Sequence, residues 1–242
     1  MDVSEVISDI CQKVAAGNMD QAKQLANKEL SIDESRHDYD QRRVRNKQRF
    51  CALYELRALT PEERLPKEER AKMPKDSTER QIQVFLRDGC IDRYTGQRLL
   101  FPGVIYLLGS VGYKNAYTGP LREVLPWVKN WPRDDNPEKG KPRAHSIIYD
   151  IECTWDHLHP VAAGGDYPLN NLYTTSMWNQ AVKGDQLMLN PINPRFPEGD
   201  LQQWDGLLGW ALAYIDENRP VLSKSFQDYF VVSRSVRGKM IN

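Results

Sequence analysis

Residues 150–185 read DIECTWDHLHPVAAGGDYPLNNLYTTSMWNQAVKGD, and the rest of the chain is interpreted from this stretch outward. An aromatic and β-branched run ends at Leu158 just before Pro160. Gly164-Gly165 follows, then a second short run at 172–174 and a helical pattern over 176–183. This spacing predicts a strand, a glycine-containing loop, a strand and a helix. Asp156, His157, Asn171, Asn179 and Lys183 then fall on joined elements. Neighbouring residues of a flat strand point to opposite faces, so Asp156 and His157 serve one site only if the ribbon twists against the helix.

Upstream, the run 85–108 (FLRDGCIDRYTGQRLLFPGVIYLL) contains a Tyr94-Thr95-Gly96 turn, and a helix is expected from Asp76 or Ser77 to about Gly89. The segment 60–78 holds three prolines among dense mixed charge and reads as an exposed connection with short helical turns. Before it, Val3, Val6, Ile7, Ile10 and Val14 recur at helical spacing, and a further helix is expected from Asp33 towards Ala58. Arg36, Arg42, Arg43, Arg45, Lys47 and Arg49 crowd that helix against only Asp38 and Asp40. It reads either as a solvated face with local ion pairs or as a phosphate-contacting surface. Downstream, Leu201, Trp204, Leu207, Leu208, Ala211, Leu212 and Ile215 fit a buried helix from about Asp200 to before Pro220. A terminal helix ends in Arg234, Arg237 and Lys239, which either contact DNA or stay in solvent.

Thirty-three Lys plus Arg balance 33 Asp plus Glu in 242 residues, which excludes a cationic coat but leaves room for a local basic patch. Cys11, Cys51, Cys90 and Cys153 are too scattered for a disulfide framework or a CxxC zinc knuckle, so a reducing compartment is expected. The opening MDVSEVISDICQKV has no signal-like character, and the longest apolar runs are far shorter than the roughly 20 residues of a membrane span. A cytoplasmic protein without membrane contact is the expectation. His37 and His145 read as surface or structural histidines.

The quoted stretch resembles the catalytic ββα-metal finger of HNH nucleases. The family pattern DH-x-x-P, GG, NL and a helix carrying N and K is met by Asp156-His157, Pro160, Gly164-Gly165, Asn171-Leu172, Asn179 and Lys183. The likeness covers 30–35 residues, and the flanks at 85–108 and 199–215 resemble those of a group of bacterial HNH proteins. It implies an α+β fold, mostly helical, with the finger embedded at 150–184. The N-terminal helical region is expected to span 1–80, and the nuclease domain 81–242. It further implies DNA as substrate, bracing of the finger by Asn171, and a setting such as restriction or antiviral defence; since the sequence shows no evident ATPase or sensor module, a protein partner for activation or targeting is expected. Many such fingers carry zinc-binding cysteine pairs. Here Tyr94-Thr95-Gly96 stands where one pair would begin and Ser176 opens the helix, so no structural zinc is expected.

The residue types suit phosphodiester hydrolysis. Neutral imidazole at His157, with an ordinary pKa of about 6.5, can take a proton from water near pH 7. Asp156 and the amide oxygen of Asn179 are hard ligands suited to Mg2+, with Mn2+ expected to substitute, and the ion would offset charge on phosphate and leaving oxygens. His159 has a structural or substrate-contacting, metal-facing or merely exposed reading. Lys183 either contacts phosphate or sits at a solvated helix end. Two other readings stand beside the endonuclease: a nucleic-acid-binding or scaffolding subunit with a weak finger, and an RNA-cleaving version of the same finger.

Overall fold

The computed structural model describes residues 2–30, 36–109, 121, 124, 125, 146–189 and 196–241; His145 and the side chain of His37 lie outside the described part. The described fold is mixed α+β and mostly helical, with two small antiparallel sheets. Helices α1 (Val3–Ala15) and α2 (Met19–Glu29) pack on each other as a hairpin. The basic helix α3 spans Arg36–Leu53, followed by β1 (Leu56–Arg57), α4 (Ser77–Arg87) and α5 (Pro102–Leu108). Then come α6 (Ser146–Ile151), β2 (Cys153–His157), β3 (Leu172–Ser176), α7 (Met177–Lys183) and β4 (Leu187–Met188). Helices α8 (Leu208–Asn218) and α9 (Lys224–Ile241) close the chain.

Strands β2 and β3 pair from Cys153↔Ser176 to His157↔Leu172. Helix α4 packs on both strands, and α7, which follows β3 directly, packs on both as well. The apolar stripe Ile82, Val84, Phe85 and Leu86 explains the position of α4, since all four are buried and α9 meets the same helix. Buried residues of α1 and α2 share one core with residues 82–236. Strand β1 also reaches across to pair with β4, and α3 packs along α7. Ahead of α4 the segment 60–76 forms turns, and its Leu65 N–H donates to the Ala162 carbonyl at 2.8 Å, tying it to the loop between β2 and β3.

Two expected boundaries are corrected. The helix expected to continue towards Ala58 stops at Leu53, because Leu56 and Arg57 are taken up by β4. The helix expected from Asp200 starts at Leu208, because Gly206 and Leu207 both adopt left-handed backbone (φ 67° and 66°). A side chain at Gly206 would meet the Phe101 nitrogen at 2.6 Å, so the turn belongs to glycine. Trp204 uses that turn to donate its indole N–H to the Leu99 carbonyl at 2.9 Å.

Glu152, at the entry to β2, is buried and accepts the Tyr106 hydroxyl at 2.7 Å. Burial pushes its carboxyl up to about 7, only partly opposed by that hydrogen bond. The folded protein therefore holds a proton that the unfolded chain has released between about pH 4.5 and 7, and stability falls as pH rises through that window. Glu152→Gln is expected to remove a fall on the order of 3 kcal/mol. Urea titrations of both proteins at several pH values check this; parallel stability profiles would show that Glu152 does not hold the proton.

Candidate active site

Two buried aspartates from the segment after α4 fix the β2–β3–α7 unit. Asp88 accepts the Thr174 backbone N–H at 2.8 Å and also holds Arg87 and Arg93. Asp92 accepts the N–H groups of Tyr94 (2.9 Å) and Thr95 (3.1 Å) on one oxygen. Its other oxygen takes the Thr175 hydroxyl (3.0 Å), the Ser176 N–H (2.8 Å) and the Asn179 side-chain amide (2.8 Å). Ser176 caps α7 through its hydroxyl, which accepts the Asn179 N–H at 3.3 Å. Asn179 is thereby held at both backbone and side chain, on the helix face that meets the hairpin.

Asp156 turns to this same side. Its Oδ2 accepts the buried Tyr94 hydroxyl at 2.7 Å and lies 2.9 Å from the Lys183 ammonium. Lys183, one turn after Asn179, is fully buried and also donates to the His157 carbonyl at 2.5 Å. Both readings of Lys183 from sequence are therefore corrected: it is neither at a solvated helix end nor presented to an external phosphate, but serves as the counter-ion of Asp156. Burial raises the Asp156 pKa, and the Lys183 charge and the Tyr94 hydroxyl pull it back.

His157 lies on the opposite face of β2. Its ring meets Tyr167 edge to face at 4.7 Å and lies 6.2 Å from Trp155, while Asp156 faces Tyr94 and Lys183. Desolvation first, and the Lys183 charge second, lower its pKa to about 4, with Asp166 opposing them. The ring is therefore neutral at pH 7. Its Nε2 is buried with no hydrogen-bond partner in the described structure, which leaves an uncommitted nitrogen at the end of the strand.

The loop between the strands is clamped by Asn171. Its Oδ1 accepts the His159 N–H at 2.8 Å, and its Nδ2 donates to the carbonyls of His159 (3.1 Å) and Asp166 (2.8 Å). His159 closes the same loop through Nε2 to the Ala163 carbonyl at 2.9 Å, a structural contact. Gly165 is required here because a Cβ would lie 2.0 Å from the His159 carbonyl oxygen. Asn171→Ala is expected to cost about 2 kcal/mol through these lost bonds and to lower any cleavage by about 10–100-fold. Asn171→Asp, which keeps an acceptor but no donor, should fall in between. Urea melts and plasmid nicking check both variants; an unaffected nicking rate would leave Asn171 without a bracing role.

The basic residues separate into paired and unpaired groups. Arg42 is drawn to Asp150 at 2.8 Å, which Asn46 also binds, whereas Arg43 and Arg45 are exposed. Arg234 pairs with Asp216 at 2.7 Å and Arg237 with Asp205 at 2.9 Å. Arg42, Arg234 and Arg237 are thus each engaged by a carboxylate.

Among the described residues, no group of three or more His, Cys, Asp and Glu side chains converges on a metal position. Magnesium needs less, since one or two protein oxygens with water and phosphate commonly suffice. Tyr94 and Lys183 both engage Oδ2 of Asp156, and no side chain among the described residues reaches Oδ1. Asn179 turns its NH2 to Asp92, which points its amide oxygen elsewhere. The donor chemistry fits a hard cation, with Lys183 as its competitor.

Sequence reasoning singled out Asp156, His157, Asn171 and Asn179, which the structure places on β2, just before β3 and on α7; it did not single out Asp88, Asp92 and Tyr167, or the contact of Tyr94 with Asp156. The Asp-Arg-Tyr-Thr-Gly turn at 92–96 carried the only local sign of the Asp92 turn. The four cysteines are free, with Cys51 exposed and the others buried. No helix among the described residues is long and apolar enough to cross a membrane. Comparison of the chain with family models, curated proteins and solved structures finds no match in any of the three.

Proposed function

We propose that this chain is an HNH-type endonuclease that hydrolyses DNA phosphodiester bonds with Mg2+, or Mn2+ in its place. The observation that supports this most is the β2–β3–α7 unit: β2 ends in a neutral His157 with an uncommitted Nε2, and on the strand face opposite that ring Asp156 turns to the helix carrying Asn179. His157 accepts the proton of the attacking water at that nitrogen, since its lowered pKa keeps the ring neutral at pH 7. Asp156 and Asn179 would hold the cation, and when bound it would offset negative charge growing on the phosphate and leaving oxygens. Tyr94 and Asp92 hold these two side chains in place, and Asn171 fixes the backbone around His159.

The test is supercoiled plasmid, with structured RNA in parallel, in Mg2+, in Mn2+ and in EDTA. Metal-dependent nicking of the plasmid is expected; cleavage of RNA alone would transfer the substrate to RNA. No cleavage at several salt concentrations would overturn the enzyme reading. The second reading, a nucleic-acid-binding subunit with a weak finger, is favoured by one feature: Lys183 already balances the Asp156 charge that a cation would otherwise balance.

A further inference from the structure

Helix α7 has a second face. While Asn179 and Lys183 turn to Asp92 and Asp156, its Trp178, Ala181 and Val182 line a cavity of about 760 Å3 against α3, within the roughly 300–1,000 Å3 of small-molecule sites. Tyr149 packs on Trp178 at a tilt of 39°, with ring centroids 5.1 Å apart, and the two form an aromatic wall. Arg43 and Lys47, one turn apart on α3, line the opposite wall and are exposed. No carboxylate among the described residues pairs with either, in contrast to Arg42 with Asp150. Among the described residues Glu55 is the one acidic side chain at this cavity.

Two uncommitted cations facing an aromatic wall call for an anion joined to a planar ring. Guanidinium and ammonium groups bind phosphate oxygens, and aromatic side chains stack on bases of any sequence. A carboxylate beside them accepts from the amino groups that bases carry on their edges. We propose that this cavity is a nucleotide-binding site, with phosphate on Arg43 and Lys47, the base against Tyr149, and Glu55 meeting a base amino group. A free nucleotide and one unit of a single strand present the same chemistry. The site also stands near the finger's interior: Tyr54, which lines it, donates its hydroxyl to the Tyr94 carbonyl at 3.0 Å, and Tyr94 in turn holds Asp156.

Cys51 lines the cavity and is exposed, while Cys11, Cys90 and Cys153 are buried, so alkylation of Cys51 reads occupancy directly. The full chain is labelled with iodoacetamide in EDTA, with adenosine or guanosine monophosphate, a six-nucleotide single-stranded DNA, or inorganic phosphate. At least about a fivefold slowing by saturating mononucleotide or oligonucleotide is expected, with little from phosphate alone. Protection should vanish in Arg43→Gln/Lys47→Gln and persist in Arg45→Gln/Arg49→Gln. Protection by the mononucleotide identifies a free-nucleotide site, and protection by the oligonucleotide alone identifies a strand. The proposal is overturned by no protection, by equal protection from phosphate alone, or by protection that survives Arg43→Gln/Lys47→Gln. Because EDTA removes cleavage from the readout, either result leaves the nuclease reading to its own plasmid test.

Discussion

His157→Ala should lower plasmid nicking by about 10²–10⁴-fold, the span that a positioned general base contributes. Its fold should survive. The substitution removes the ring's contact with Tyr167, but it also removes a buried nitrogen that has no partner, and these effects oppose each other. The expected change in unfolding free energy is therefore within about 1 kcal/mol. Added imidazole should restore part of the rate, because the deletion leaves space where the ring stood and the missing function is proton acceptance. A structural role for His157 would give the opposite pattern: a lowered melting temperature and no response to imidazole. Wild-type nicking by His157→Ala would remove the residue from the mechanism.

The hairpin and the following helix were legible because their signals are local. Pro160 and Gly164-Gly165 mark the loop, the Leu-Tyr-Thr run at 172–174 marks the second strand, and Ser176 has the chemistry of a helix cap. Bracing by Asn171 was implied by the resemblance, and its three hydrogen bonds, to His159 and Asp166, span no more than 12 residues along the chain. What was hidden is long-range. Tyr94 reaches Asp156 across 62 residues, Asp88 reaches Thr174 across 86 and Asp92 reaches Asn179 across 87. No local pattern announces such a pairing. A lysine followed by Gly184-Asp185 reads as the wet end of a helix, yet its position one turn after Asn179 carries it inward to Asp156. The start of α8 was hidden for a different reason: Leu207 adopts a left-handed conformation that its residue type does not advertise.

Lys183→Met is expected to be the most destabilising single change at the site, by about 3–5 kcal/mol, because it leaves a buried carboxylate without its counter-ion. Asp156→Asn strands the ammonium in the same way. The double variant Asp156→Asn/Lys183→Met buries no charge, so it should be more stable than the sum of the singles by about 1–3 kcal/mol, as urea melts of all four proteins would measure. Magnesium then separates the two functional readings. Removing a positive charge 2.9 Å from Asp156 makes the carboxylate a better cation ligand. If Asp156 and Asn179 hold Mg2+, the ion binds the folded state and raises its stability, and it does so more for Lys183→Met than for the wild type. Thermal melts across a Mg2+ titration would show a larger upward shift in the variant, absent when Asp156→Asn is added. A response equal in all four proteins would leave Lys183 as the permanent partner of Asp156, and the binding-subunit reading would then replace the nuclease.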